Sequence, residues 1–354
     1  MKRGMLAVLG LTALIAAGLG IFLAAGCSGN SAAGDKKLSI GGASFVYPMM
    51  DKWSFEYEKL KGVNVNYNSI GSGSGIQQMI EQTLDFGCSD APMNDKQLAE
   101  AKSKNGAVVH IPLVMGGVVP MYHLDGVESQ LQFTGAVLAD IFLGKIKKWN
   151  DPALKKINPG VDLPDKSIAV CHRSDGSGTT YIWADYLAKV SPTEWKEKVG
   201  VSTSLKFPVG IGAKGSEGVS GFVKQTDGAI SYVELIYALK NDIKYGSVQN
   251  KEGNFILASL ESVTAAAAGA LTDIPDDLRY SLTDAPGKDA YPISGTNWAV
   301  VYEKQPAAKK QVIIDFLHWI THDGQQYCEK LHYAKLPAGL VERLEKKLQR
   351  INAE

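Results

Sequence analysis

From residue 38 onward, short apolar runs of strand length alternate with longer runs whose apolar positions recur at helical spacing. LSIGGASF, VNVNYNSIG, LDFGCS and AVVHIPLVMGGVVPMYH read as strands, and MMDKWSFEYEKLKG, GIQQMIEQTL and NDKQLAEAKSKNG as the helices between them. That order predicts βαβ units and a largely parallel sheet, hence an α/β fold. From about residue 134 the pattern restarts, with GAVLADIFLGKI, TTYIWADYLAKV and GVSGFVKQTDG as helices and SIAVCHRSD and AISYVELIYA as strands. A helix over 257–271, the strand AYPISGTNWAVVYE and helices over 306–321 and 338–350 close the chain.

The strands end in small, hydroxylic turns. HRSDGSGTT at 172–180 runs straight into the amphipathic YIWADYLAK. A turn of this kind opening a helix brings free backbone N–H groups, the hydroxyls of Ser177 and Thr179 and the positive end of the helix dipole to one point, with Arg173 beside it. The combination suits an oxyanion. GGASFVYP at 41–48, SIGSGSG at 69–75 and DFGCSDAP at 85–92 have the same character. Small residues there let the backbone approach a ligand and aim its amides inward. Four such turns suggest one shared site, and in an α/β sheet ligands bind beyond the carboxyl ends of the strands.

Composition adds three constraints. The 354 residues are enough for two domains of ordinary size, and no tract is strongly biased. Met1-Lys2-Arg3 is a short basic start, Met5 to Ala25 is apolar, and LAAGC places Cys27 after small residues, the form of a lipoprotein export signal over residues 1–26. An uncleaved membrane anchor is the alternative, since about 20 apolar residues can span a bilayer. Removing residues 1–26 takes away Lys2 and Arg3, so the formal charge moves from 0 to 35 − 37 = −2, too little basic excess for nucleic acid. With Cys27 lipidated, Cys88, Cys171 and Cys328 remain, an odd number that argues against a disulfide framework and for small buried hydrophobes.

These turns resemble those of the phosphate-binding proteins of bacterial phosphate ABC importers. The resemblance continues through LGKIKKWNDPALKKINPG (143–160), GIGAKGSEGVSGFVKQTDGAISYVE (210–234) and YPISGTNWAVV (291–301), and covers nearly the whole chain after the export signal. It implies a two-lobed α/β periplasmic binding protein of type II, with a cleft between a first lobe (38–113 plus 293–354) and a second (114–292). Residues 27–37 would be a tether. It further implies a monomeric receptor, held at the periplasmic or outer face of the envelope through lipid on Cys27, that carries inorganic phosphate to the transmembrane permease subunits of the importer. Neither cofactor nor metal nor catalysis is expected.

Matched position by position, the resemblance assigns phosphate contacts to Ser44 and Phe45, Ser72, Asp90, Arg173, and Ser177, Gly178 and Thr179. Asp175 would steady the Arg173 guanidinium, whose fork fits two phosphate oxygens. In GSGSG, Ser74 stands as a rival to Ser72. Asp90 discriminates most: a carboxylate in an anion site repels its ligand unless the ligand shares a proton, and phosphate has one at neutral pH where sulfate has none. The plainer alternative makes Asp90 the cap of the helix after Pro92.

Two other motifs are set aside. GIGAKG at 210–215 matches G-x-G-x-x-G, but the run before it is brief and contains Pro208. His318 and His322 stand four apart in HWITH, yet the zincin Glu is missing and no third ligand is evident in the sequence. A phosphoryl-transfer enzyme would need a metal pair or an activated nucleophile with its base, and no such grouping stands out. A scaffold that has lost its ligand, and a receptor for sulfate or molybdate, are the further alternatives.

Overall fold

The structure is a computed structural model that describes residues 36–270 and 274–353. The export signal, Cys27 and all but the end of the tether lie outside the described residues. Among those described, no helix is long and apolar enough to cross a membrane.

The chain begins as three βα units: β1 (Lys37–Gly42), α1 (Tyr47–Lys61), β2 (Asn64–Ser69), α2 (Ser72–Ile80), β3 (Phe86–Ser89) and α3 (Asp95–Asn105). A long strand follows, β4 (Val108–His123), buried along almost all of its length. Next come β5 (Gln132–Phe133), α4 (Gly135–Phe142), α5 (Pro152–Ile157), β6 (Ala169–Arg173), α6 (Gly178–Val190), β7 (Ile211–Ala213), α7 (Gly215–Gln225), β8 (Ala229–Glu234) and α8 (Leu235–Lys240). Short strands β9 (Lys244–Tyr245), β10 (Ser247–Gln249) and β11 (Phe255–Ile256) precede α9 (Leu260–Ala270). The chain then returns through β12 (Ser294–Tyr302), β13 (Lys304–Gln305), α10 (Ala307–Thr321), α11 (Ala338–Leu348) and β14 (Asn352–Ala353).

The main sheet runs β2-β1-β3-β12-β4-β8-β6-β7, with β9 also on β4. Its outer parts are parallel, as the βαβ reading predicts: β1 with β2 and β3, and β6 with β7 and β8. Its centre is not. β12 is antiparallel to both β3 and β4, and β4 is antiparallel to β8. The physical reason is the route of the chain, which leaves the first part of the sheet along β4 and re-enters it along β12 beside β4 and in the opposite sense. A largely parallel sheet is therefore corrected to a mixed one.

β4 also changes partners partway. Val108–Gly117 pairs with β12, and Val118–His123 pairs with β8. The strand thus belongs to two half-sheets, one built from β2, β1, β3 and β12, the other from β8, β6 and β7. Each half has its own aromatic packing: Tyr57 and Trp319 meet Phe316 in the first, and Trp183 stacks on Tyr232 beside Phe142 in the second. Cys88 on β3, Cys171 on β6 and Cys328 are buried free thiols, the first two in different half-sheets.

Candidate anion site between the half-sheets

The helix starts α1, α2, α6 and α7 each follow a strand carboxyl end, and cross-links between them bring those ends together. Gly73 N–H, in the first turn of α2, donates to Gly176 O in the turn before α6 at 2.8 Å. Ser44, before α1, and Ser216, in the first turn of α7, have their hydroxyl oxygens 2.8 Å apart, and Ser216 N–H donates to Ser44 Oγ at 3.2 Å. Close approach depends on glycine. A Cβ on Gly71, whose φ is +86°, would lie 2.5 Å from Asp175 Oδ2, and one on Gly178 would lie 2.5 Å from Ser72 Oγ and 2.6 Å from Asp90 Oδ2.

In the second half-sheet, β6 ends at Arg173 and presents its side chain inward. The guanidinium grips Asp175 through Nε to Oδ1 at 2.7 Å and Nη2 to Oδ2 at 2.5 Å, and its Nη1 donates to Ser216 Oγ at 3.5 Å. Asp175 Oδ1 also accepts from Gly215 N–H at 3.0 Å. Burial opposes both charges, but their pairing outweighs it: Arg173 is held above its ordinary pKa and Asp175 below its own. One edge of the fork is therefore committed to Asp175, and Nη1 is the nitrogen directed across to the other helix starts.

The start of α6 has the capping logic of an anion cradle. Ser177 Oγ accepts from Thr180 N–H at 3.0 Å, and Ser177 N–H donates to Thr203 O at 2.8 Å. A hydroxyl that accepts one bond keeps its own proton to donate. Thr180 Oγ1 lies 2.7 Å from Tyr232 Oη, which fixes the helix to β8. Thr179 Oγ1 is buried with no hydrogen-bond partner. A buried hydroxyl left unpaired costs about 1–3 kcal/mol.

On the first half-sheet, Asp90 follows β3 and is buried, 1 % exposed. Asn297 Nδ2, from β12, donates to its Oδ1 at 2.6 Å, and Ser72 Oγ stands 3.4 Å from its Oδ2 while accepting from Asp90 N–H at 3.3 Å. Burial pushes the carboxyl pKa up to about 7, against the pull of Asn297, Arg173 and Ser72. The helix cap after Pro92 is another residue: Asn94 accepts from Gln97 N–H at 2.9 Å and closes a capping box. Asp90 is thus not the cap of α3.

Six of the eight residues expected to make contacts sit at these helix starts, Arg173 ends β6 beside them, and Asp90 follows β3. Phe45 contributes backbone rather than ring; its carbonyl accepts from Tyr333 Oη at 2.5 Å, as Ser44 O does from Tyr237 Oη at 2.6 Å. Ser74 is the exception. α2 begins at Ser72, not at Gly75 as the sequence suggested, because Gly71 breaks the strand with a positive φ. Ser72 is then buried against Asp90 while Ser74, two positions further round the helix, faces solvent. Two participants went unnamed in the sequence reading. Ser216 stands in KGSEG, within a segment that the resemblance covers, and Asn297 stands in the strand SGTNW. The first could have been found as a hydroxyl opening a helix; nothing local marks the second.

A further expectation is corrected away from this site. HWITH does acquire a third candidate ligand, Glu345 of α11, whose carboxylate oxygen and the two imidazoles lie within 4.8 Å of one another. The sequence hides it because the residue comes from the next helix.

The geometry can be set beside known proteins. Residues 28–323 match the PBP superfamily domain. The chain is 45 % identical over 311 residues to the phosphate-binding protein PstS of Xylella fastidiosa, covering 87 % of this chain and 84 % of that one. It is 35 % identical to the archaeal PstS of Methanocaldococcus jannaschii, covering 80 % and 78 %. In fold it is similar to a high-affinity periplasmic phosphate-binding protein solved with phosphate (PfluDING), at a TM-score of 0.72 and 17 % identity over 88 % of this chain and 93 % of that one. A phosphate ABC transporter substrate-binding protein from Clostridium perfringens gives 0.62 at 20 % identity, over 85 % and 100 %. The fold is accordingly the two-lobed, type II periplasmic binding fold, and the chain belongs to the PstS family of phosphate-binding proteins within the PBP superfamily.

Proposed function

We propose that this protein binds inorganic phosphate outside the cytoplasmic membrane and delivers it to an ABC-type phosphate permease. The observation that carries the reading is Asp90, a buried carboxyl beside the hydroxyl and N–H donors of the helix starts. Arg173 Nη1, the Ser44, Ser72, Ser177 and Thr179 hydroxyls and the N–H groups of Phe45, Gly178 and Thr179 would hold the phosphate oxygens. Asp90 would accept a hydrogen bond from the proton that phosphate carries. Asp175 would orient Arg173, with Ser216 and Asn297 supporting from either side.

The proposal places the cleft between a lobe of residues 38–113 with 293–354 and a lobe of 114–292. The exchange of β4 from β12 to β8 supports a hinge there. It takes the protein as a monomeric receptor, not an enzyme, in keeping with relatives named for binding. Lipid on Cys27 would hold it at the periplasmic or outer face of the envelope, on the strength of the LAAGC sequence.

Calorimetric titration of the protein lacking residues 1–26 with phosphate and with sulfate tests the reading. Saturable binding of phosphate at one site, with sulfate far weaker, is expected. Equal affinity for the two anions, or none for phosphate, overturns it.

A further inference from the structure

On the far side of α10 and α11 from the cores they cover, three side chains converge that the anion site does not use. His318 and His322 are one turn apart, with rings stacked at 4.1 Å and 10°. Glu345 of α11 reaches both: its Oε1 is 3.4 Å from His322 Nε2 and 3.8 Å from His318 Nε2. Each helix has its apolar face turned inward, through Phe316, Leu317 and Ile320 on one and Leu340, Leu344 and Leu348 on the other. The trio therefore projects from the seam where the two helices meet.

We propose that His318, His322 and Glu345 form a binding site for a divalent first-row transition-metal ion, with zinc as its best match. Three features fit. Zinc takes imidazole nitrogen and carboxylate oxygen at about 2.0–2.2 Å in a tetrahedron, so its ligand atoms lie on the order of 3.4 Å apart, close to the spacings here. His322 Nδ1 lies 2.9 Å from His318 O, so a proton on Nδ1 leaves the Nε2 lone pair directed at Glu345. A metal-binding imidazole is commonly held in its tautomer by such a second hydrogen bond. Finally, Glu345 Oε1 is buried and accepts no hydrogen bond. The fourth position faces solvent and would be filled by water.

An ion held this way ties α10 to α11 and so fastens the C-terminal helix to the rest of the molecule. The test is calorimetric titration of zinc into the phosphate-free protein lacking residues 1–26, beside the variants His318→Ala, His322→Ala and Glu345→Gln. One saturable site is expected in the parent, with affinity reduced on the order of tenfold or more in each variant. Phosphate affinity, read in metal-free buffer, should be unchanged in all three. Because these side chains are exposed or half-buried, the variants should fold; the parent's melting temperature with zinc and with a chelator gives a second readout, and zinc should raise it. No saturable zinc binding to the parent, or equal binding by the parent and all three variants, overturns the proposal.

Discussion

Gly178 packs directly against Asp90: a methyl group on its α-carbon would stand 2.6 Å from Asp90 Cβ and 2.5 Å from the neighbouring Ser72 Oγ. The helix start of one half-sheet thus seats on the carboxylate of the other with no room for a side chain. Gly178→Ala should therefore prevent full closure and weaken phosphate binding on the order of tenfold or more. Stability of the ligand-free protein should hold, since Gly178 has an ordinary negative φ and alanine is the better helix former. Titration and thermal melting of the variant check both halves; unimpaired affinity would mean the lobes need not meet here.

Arg173→Ala removes one member of a buried ion pair. Loss of the charge-assisted contact to the anion should lower phosphate affinity at least about tenfold. Asp175 would be left with backbone N–H groups, those of Gly215 and of Asp175 itself, and no cation to offset its charge. Breaking a buried pair from one side costs on the order of 3–5 kcal/mol, so a clear fall in melting temperature is also expected. The double variant Arg173→Ala/Asp175→Ala should recover part of the stability and none of the affinity. If the double variant melts no higher than the single, Asp175 is not the source of the loss.

Asp90 should make both stability and selectivity depend on pH. Its pKa is raised from 3.8 to about 7, so between those values the folded chain holds a proton that the unfolded chain releases. The stability this group contributes is then fully present below pH 3.8 and is lost as pH rises through about 7. Asp90→Asn cannot titrate, so its melting temperature relative to the parent, without ligand, should rise between about pH 4 and pH 8. Parallel melting curves would place the titration elsewhere.

The same proton governs the choice of anion. Above about pH 7 an ionised Asp90 faces sulfate acceptor to acceptor, whereas a protonated Asp90 can donate to it. The ratio of phosphate to sulfate affinity should therefore fall as the medium is acidified. It should also shrink in Asp90→Asn at neutral pH, which can donate at any pH. Paired titrations of parent and variant at two pH values check this, and a ratio independent of both removes Asp90 from selectivity.

Lipidation of Cys27 is a separate expectation. Mass spectrometry of the native protein should find residues 1–26 gone and acyl mass on Cys27. An intact Met1 start in the membrane fraction would instead identify an uncleaved anchor.

Much of this architecture is legible along the chain because it is local. Apolar periodicity located the βα units, and the Gly/Ser turns marked the helix starts, since both signals come from neighbouring residues. What escaped is long-range. Asn297 reaches Asp90 only because β12 inserts beside β3, and Glu345 reaches His318 and His322 only through the packing of α11 on α10. Ser74 stands as the weaker rival of Ser72 in the sequence, and the start of α2 separates them, because one or two positions on a helix decide which way a hydroxyl points.

The placement of β12 between β3 and β4 bears on how the molecule is made. Synthesis delivers β1 to β4 first, but β3 and β4 do not pair with each other; both wait for residues 294–302. Until those residues arrive, two apolar strand edges stand open, the kind of surface that aggregates. The chain must therefore be nearly complete before its first half-sheet can close, which makes that closure a long-range step rather than one progressive from the N-terminus. A fragment ending before Ser294 would keep the Gly/Ser turns of the first half-sheet and still lack the strand that holds Asp90 in place.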